Sequence, residues 1–386
     1  MKMLARSLGT LSILPILACS SKSAADSKDG GTKRDAALSD KNASDAARGN
    51  DLANAPDRQT DASTAYLTDP DLGLIGRIEI QGRNLYWNSS GRRLVKGSLD
   101  DLTTKVLFEA SGKYTSSMPI MDFAVDSTYA YVAYAADNTE YEKRGVYRVA
   151  LDGSGAPFRL TSSPDLNEAH PESITVAGDD VFYHDANAIR QVKTTGGVAR
   201  TLIEVPRSGS DLRLLVHQDY VYFTMESDLL AEDVYRVPVG ASVPATADGG
   251  LPGRMDGGAP AAPEKVSTVR GGVSILLGRR VDQGFVYWAT GNIVYRTDGR
   301  SPPKALFDAR DPSREKETGI GDWLFPLDGV IYWGQGNPSS GWRTYKQPAD
   351  ETGRGTVLAD MGFSDLTGDA DYLYGASESV IWRLMP

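Results

Sequence analysis

The sequence predicts an all-β protein, a β-propeller of seven four-stranded blades, and three observations carry that reading. One phrase recurs seven times from Ile75 to the C-terminus: a short alternating strand, a Gly/Asp turn, an aromatic strand, a loop, and a strand ending in a basic residue. The 40 Gly, 20 Pro, 18 Tyr and 6 Trp suit short strands punctuated by turns, because Gly and Pro interrupt strands and aromatic rings pack well on a pleated surface. The last copy stops one strand short, while Thr64 to Thr68 precedes the first copy with nothing of its own to pair with. Together these two ends predict a ring closed by one N-terminal strand on three C-terminal ones, which removes open sheet edges. Six or eight blades are the alternatives, and six requires one irregular copy.

Ahead of the repeats, Lys2 and Arg6 give a positive start and Leu8 to Ala18 an apolar run that ends at Cys19. The run is too short to span a bilayer, and residues 1–18 read as a signal peptide. From Ser20 to Ala65 there is no aromatic residue, and seven Lys/Arg face eight Asp/Glu. Such a segment cannot bury enough apolar surface to fold, so 19–63 is predicted to be a disordered tether. As a flexible coil it would hold the folded part roughly 35 to 40 Å from its anchor. The propeller then occupies 64–386.

The aromatic positions that align across the copies are Tyr86, Tyr131, Phe182, Tyr222, Tyr287, Tyr332 and Tyr374. The third copy gives the template: Ile174-Thr175-Val176 alternates, Gly178-Asp179-Asp180 turns, Val181-Phe182-Tyr183 returns, Ala188 to Val192 goes out, and Val198 to Ile203 ends the unit. Four antiparallel strands in so few residues make a propeller blade. Third strands end in Lys96, Arg148, Arg190, Arg236, Arg296, Lys346 and Arg383, read as solvent-facing charge that discourages edge pairing. The Gly-, Ala- and Pro-rich stretch at about 242–263 falls between the third and fourth strands of blade four and is predicted to be a disordered insertion.

Two resemblances follow from these residues. Ile16-Leu17-Ala18-Cys19 resembles the lipobox of bacterial lipoproteins, which implies cleavage before Cys19 and a lipid of the palmitate type attached through it. Ser20 after the cysteine implies the outer membrane, periplasmic or surface-exposed, over the inner membrane. Leu85-Tyr86-Trp87, Val286-Tyr287-Trp288 and Ile331-Tyr332-Trp333 are similar to the YWTD-type propeller repeat of lipoprotein-receptor ectodomains and many bacterial surface lipoproteins. Asn88-Ser89, Ala289-Thr290 and Gly334-Gln335 stand where that repeat has its Thr-Asp pair, and its propellers usually have six blades.

A net charge of -10 without a long basic block argues against nucleic-acid binding. One cysteine leaves the folded part without disulfides, thiolate metal sites or a thiol nucleophile, and three histidines exclude His-rich clusters; no cofactor is expected. Function must therefore come from rim loops. Glu168, His170 and Glu172 precede blade three and His184-Asp185 follows its second strand, all expected on one rim. They read either as ordinary loop polarity or as a cation or acid/base site built on His170, His184 and Glu172. Tyr114, Tyr141, Trp323 and Trp342 read as loop-associated aromatics that could stack on a sugar, anchor a peptide or pack in the core. Asp365, Asp369 and Asp371 read as turn chemistry, not a calcium loop. The function expected is a non-catalytic platform, anchored through Cys19, that binds envelope proteins, peptides or glycans. The alternative is an envelope hydrolase or lyase with a His/carboxylate site.

Overall fold

The computed structural model describes residues 64–386 apart from 70–72, 111–118, 137–140, 162–170, 186–187, 206–211, 229–230, 242–261, 269–274, 310–319, 338–340 and 352–354. The expected signal peptide, lipidated Cys19, tether and most of the 242–263 insertion lie outside the described residues. Among the described residues no helix is long and apolar enough to cross a membrane.

Seven four-stranded antiparallel sheets follow one another in sequence, spanning 75–109, 120–159, 171–204, 214–268, 275–308 and 320–359, with the seventh made from both ends of the folded chain. In the first six, strand order in space equals order in sequence, so each blade is a meander of hairpins. Tight turns permit this. Asp328-Gly329 and Gln283-Gly284 both have positive φ at two successive positions, the primed turn geometry that matches the twist of paired strands. The insertion falls between Ala231–Pro238 and Glu264–Thr268, third and fourth strands of blade four.

Blade seven has the order Thr64–Thr68, Val380–Leu384, Leu373–Ser377, Asp365–Gly368. The N-terminal strand is thus its outermost member, with Thr64 facing Arg383 and Thr68 facing Val380. The same strand also binds blade one. Tyr66 donates its hydroxyl to Leu99 O at 2.7 Å, and Leu67, 5% exposed, shares a cluster with Trp87 and Val95 of blade one and Ile381 of blade seven. Just beyond it, buried Asp69 accepts the Trp87 indole N–H at 2.8 Å.

Each blade-to-blade contact has its own apolar cluster. Blades one and two share Leu94, Phe108, Phe123 and Val132; three and four share Ile189, Leu202, Val221 and Phe223; five and six share Tyr287, Phe307, Leu324 and Trp333. The core is therefore a ring of interfaces, and every blade buries both faces.

The basic residues of the third strands do not stand in solvent as expected. Lys96, Arg148, Arg236, Arg296, Lys346 and Arg383 each lie directly across the strand pair from the aligned aromatic of their blade, and all are half-buried. Three of the charged ends tie one blade to the next. Lys96 donates to Leu151 O of blade two at 3.0 Å, Arg148 to Thr194 O of blade three at 2.6 Å, and Arg236 to Gly299 O of blade five. These carbonyls all sit in the connection between third and fourth strands. Aromatic faces support the cations: Arg148 lies 4.5 Å from the Tyr129 ring centroid, and Arg383 lies 4.7 Å from both Tyr66 and Tyr372. In blade three the register differs by one, so that Gln191 faces Phe182 and Arg190 faces Tyr183. There Arg200, held by Gln191, makes the tie to Val239 O of blade four at 2.6 Å.

Leu67→Ala should cost about 2–4 kcal/mol in equilibrium unfolding, the range for emptying a well-packed leucine site. A loss below about 1 kcal/mol, in the same range as a surface change, would show that the N-terminal strand is not part of the closed ring.

Candidate functional site: a charged cavity on the ring axis

The residues that follow the seven aligned aromatics are Trp87, Val132, Tyr183, Phe223, Trp288, Trp333 and Gly375. Their register partners on the innermost strands are Ile78, Phe123, Ile174, Leu214, Leu277, Leu324 and Leu366, all buried. One residue earlier in sequence come Arg77, Asp122, Ser173, Arg213, Leu276, Trp323 and Asp365, the next layer along these strands, with Arg77 and Trp323 in register bulges and Arg213 just ahead of its strand. Four of the seven are ionisable, in strands that bury both faces.

The carboxylates of this layer bridge blades. Asp122 of blade two accepts from Arg77 of blade one, from the Ile174 N–H of blade three at 3.0 Å, and from the Ser173 hydroxyl at 3.4 Å. Asp365 of blade seven makes the equivalent backbone contact, accepting the Ile78 N–H of blade one at 2.9 Å, and pairs with Arg279 of blade five at 2.8 Å. Arg77 also reaches Glu79 on its own strand. A charge moved from water into such a place needs opposite charge beside it, which Arg77 and Asp122, and Arg279 and Asp365, supply to one another.

Beside this network is a cavity of about 410 Å³, lined by Arg77, Arg213 and Arg279, by Asp122, Glu172 and Ser173, and by apolar Met121, Leu212, Leu214 and Leu277. Gly278 lines it as well. A Cβ there would stand 2.9 Å from the Tyr287 carbonyl, so glycine lets the blade-five backbone approach closely at this point.

Burial alone would lower the Arg77 pKa, but Asp122 and Glu79 outweigh it and raise the guanidinium above its ordinary value. Burial raises Asp365 and Glu79 against the pull of Arg279 and Arg77. Arg213 behaves differently from Arg77. Burial and the nearby Arg279 and Arg77 push it down to about 10, with Asp365 and Asp122 opposing.

The sequence-predicted residues distribute unevenly. His184 and Asp185 were expected in a loop but end the strand Asp180–Asp185, because only residues 186–187 separate it from the next strand. His184 is 1% exposed, with Nδ1 3.4 Å from Glu172 Oε2, so the imidazole sits behind the cavity wall and not on an open rim. Asp185 is buried and accepts from Arg190 at 2.5 Å. Trp323 is not on a loop either: it lies within Ile320–Leu327, 1% exposed, donating its indole N–H at 2.7 Å to Phe363 O in the connection from blade six to blade seven. Trp342, 42% exposed on the third strand of blade six, remains accessible. Asp369 caps its turn, accepting from the Asp371 and Tyr372 N–H groups at 2.9 Å each. Cys19, Tyr114, Glu168 and His170 lie outside the described residues. Among the described residues no three His, Cys, Asp or Glu side chains converge in a way that could hold a metal ion.

The axial arginines and aspartates were not singled out from the sequence, although a signal exists. Arg77 precedes Ile78, Asp122 lies between Met121 and Phe123, Arg213 between Leu212 and Leu214, and Asp365 precedes Leu366, each in or immediately before the first strand of its repeat. A charge at one fixed repeat position, in a strand buried on both faces, marks the axis.

No family model matches the sequence, and no curated protein matches it significantly. Solved structures do match in shape. YCF48 bound to a D1 peptide is 10% identical, with 84% of this chain and 97% of that one covered at a TM-score of 0.53. YCF48 from Cyanidioschyzon merolae is 11% identical, with 84% and 99% covered and the same TM-score. Puromycin hydrolase is 14% identical at a TM-score of 0.54, with 78% of this chain covering half of the hydrolase. At these identities the likeness is one of fold: the chain is a seven-bladed β-propeller.

Asp365→Ala should destabilise the protein by about 3–5 kcal/mol, because it leaves Arg279 without its buried partner. Asp365→Asn should cost less, since its amide oxygen can still accept from Ile78. Denaturant unfolding of the two variants checks this, and equal, small losses would contradict the bridging role.

Proposed function

We propose that this protein is a cell-envelope lipoprotein, tethered through Cys19, whose propeller binds a protein or peptide partner without catalysis. The observation that carries this reading is the axial cavity: fixed guanidinium and carboxylate groups beside leucines, open for a segment of chain to enter. A cavity that sets charged groups among leucines is the natural place for a ligand to be held and oriented. That a propeller of the same shape, YCF48, holds a D1 peptide supports a peptide as the class of ligand. Arg213 and the Arg77–Asp122 pair would orient the segment, and Met121, which lines the cavity, would contact it. The sorting residues around Cys19 favour the outer membrane, with the propeller periplasmic or surface-exposed.

A hydrolase or lyase reading draws on His184 and Glu172 at 3.4 Å. It requires the imidazole to reach a substrate, and burial behind the wall argues against that.

The experiment uses the full chain, tagged and expressed in bacterial cells, with Cys19→Ala alongside. The expected result is palmitate labelling and membrane retention of the wild type only, and specific recovery of an envelope protein after cross-linking. Soluble wild-type protein without lipid, or no recovered partner together with an activity lost in His184→Ala, would overturn the proposal.

A further inference from the structure

We propose that a second cavity, at the seam between blades one and two, binds the phosphate group of a small phosphate monoester, with Lys96 and the Tyr86 hydroxyl as its principal donors. The site lies at the hairpin-turn end of the first strands, away from the axial cavity, and goes beyond the peptide-platform reading.

The cavity measures about 510 Å³, within the range of small-ligand pockets, about 300 to 1,000 Å³. Its lining is rich in donors. Lys96 and its register partner Tyr86 both face it. The ammonium has three N–H donors, of which one goes to Leu151 O at 3.0 Å, and among the described residues it forms no ion pair. Tyr86 is 1% exposed, and among the described residues its hydroxyl has no hydrogen-bond partner. Burial pushes this phenol up to about 12, so it stays a donor at neutral pH. The side-chain amides of Gln81 and Asn84 and the hydroxyls of Ser127 and Thr128 line the same space.

Comparison with the other blades shows why this seam differs. Five residues before the aligned aromatic, at the start of the first hairpin turn, blades two, five and seven carry Asp126, Asp282 and Asp369. In blade two that acid accepts the Tyr131 hydroxyl at 2.6 Å. Blade one has neutral Gln81 there, so both Tyr86 and Lys96 lack the carboxylate that the repeat supplies elsewhere. The one acid in the lining, Asp152, accepts the Ser154 N–H of its own turn at 2.7 Å, and Lys105 donates to the Asp152 carbonyl at 2.8 Å.

A phosphate presents its oxygens around a tetrahedron, and an ammonium with separate hydroxyl and amide donors can meet them from several directions. A planar carboxylate is better met by a guanidinium fork, and no arginine lines this cavity. The exposed lining residues Gly82, Ser127, Thr128, Asp152 and Ser154 include no apolar side chain to enter a bilayer, so the ester is one free in solution.

Titration calorimetry on the full chain tests the site with glucose 6-phosphate, glucose and glucuronic acid. The phosphate ester should bind about tenfold or more tightly than either of the others, the worth of one charge-assisted hydrogen bond. Gln81→Asp, which gives blade one the acid that blades two, five and seven already carry, should weaken the ester by a similar factor without lowering the unfolding temperature. Gln81→Asn should keep most of the affinity. Lys96→Met should remove the preference for ester over glucose, and because it also breaks the tie to Leu151 O, Gln81→Asp decides the matter if Lys96→Met does not fold. Binding of glucose or glucuronic acid as tight as that of the ester, or an ester affinity unchanged in Gln81→Asp, would overturn the site. So would capture by phosphatidylcholine vesicles containing phosphatidic acid with no binding of the soluble ester. None of these outcomes bears on the axial cavity, so the peptide platform stands or falls separately.

Discussion

Pairing of Thr64–Thr68 with Val380–Leu384 is the constraint on which the rest of the structure depends. A row of blades has two open ends, and each would expose a face as apolar as the interfaces inside the ring. Placing the N-terminal strand outside the C-terminal one removes both ends, since Leu67 and Tyr66 bind blades seven and one together. Once the ring is shut, the seven innermost strands converge on one axis. Residues as far apart in sequence as Ile78 and Asp365 then come within hydrogen-bond distance.

Closure also decides where charge can be kept. The third strands use cations at mid-depth, where Lys96, Arg148 and Arg236 donate to carbonyls of the next blade and aromatic faces lie against the arginines. At the axis, ions are held in a drier place and linked across blades by Asp122 and Asp365. Apolar residues of similar size would often be at least as stable there, because buried ion pairs seldom repay their desolvation. An ionic axis beside a cavity therefore fits a site kept for binding, and the register that sets it is the same repeat that sets the fold.

Much of the fold was legible in the sequence because its repeat is written in aromatic residues and turns. Tyr86, Tyr131 and their counterparts fix the second strands, Asp328-Gly329 and Gln283-Gly284 fix hairpins, and the missing last strand announces the closure. The site was less legible, since attention to long loops favoured His184, Asp185 and Trp323, which the strands absorb. Their burial depends on how far each hairpin zips, which a one-residue change in loop length alters. The cations of the third strands were visible as a pattern, but their meaning depended on neighbouring blades. Asp122 and Arg213 were visible only as single charges between apolar residues, and their meeting at one layer requires the ring to be closed first.

The central claim is that the partner docks at the mouth of the axial cavity. Site-specific photo-cross-linking in cells tests it most directly, with p-benzoylphenylalanine placed either at Met121, which lines the cavity and is 44% exposed, or at Val198, which is 97% exposed in the connection between the last two strands of blade three. The account predicts a discrete protein adduct from position 121 and none from 198. Adducts from 198 with none from 121 would contradict it.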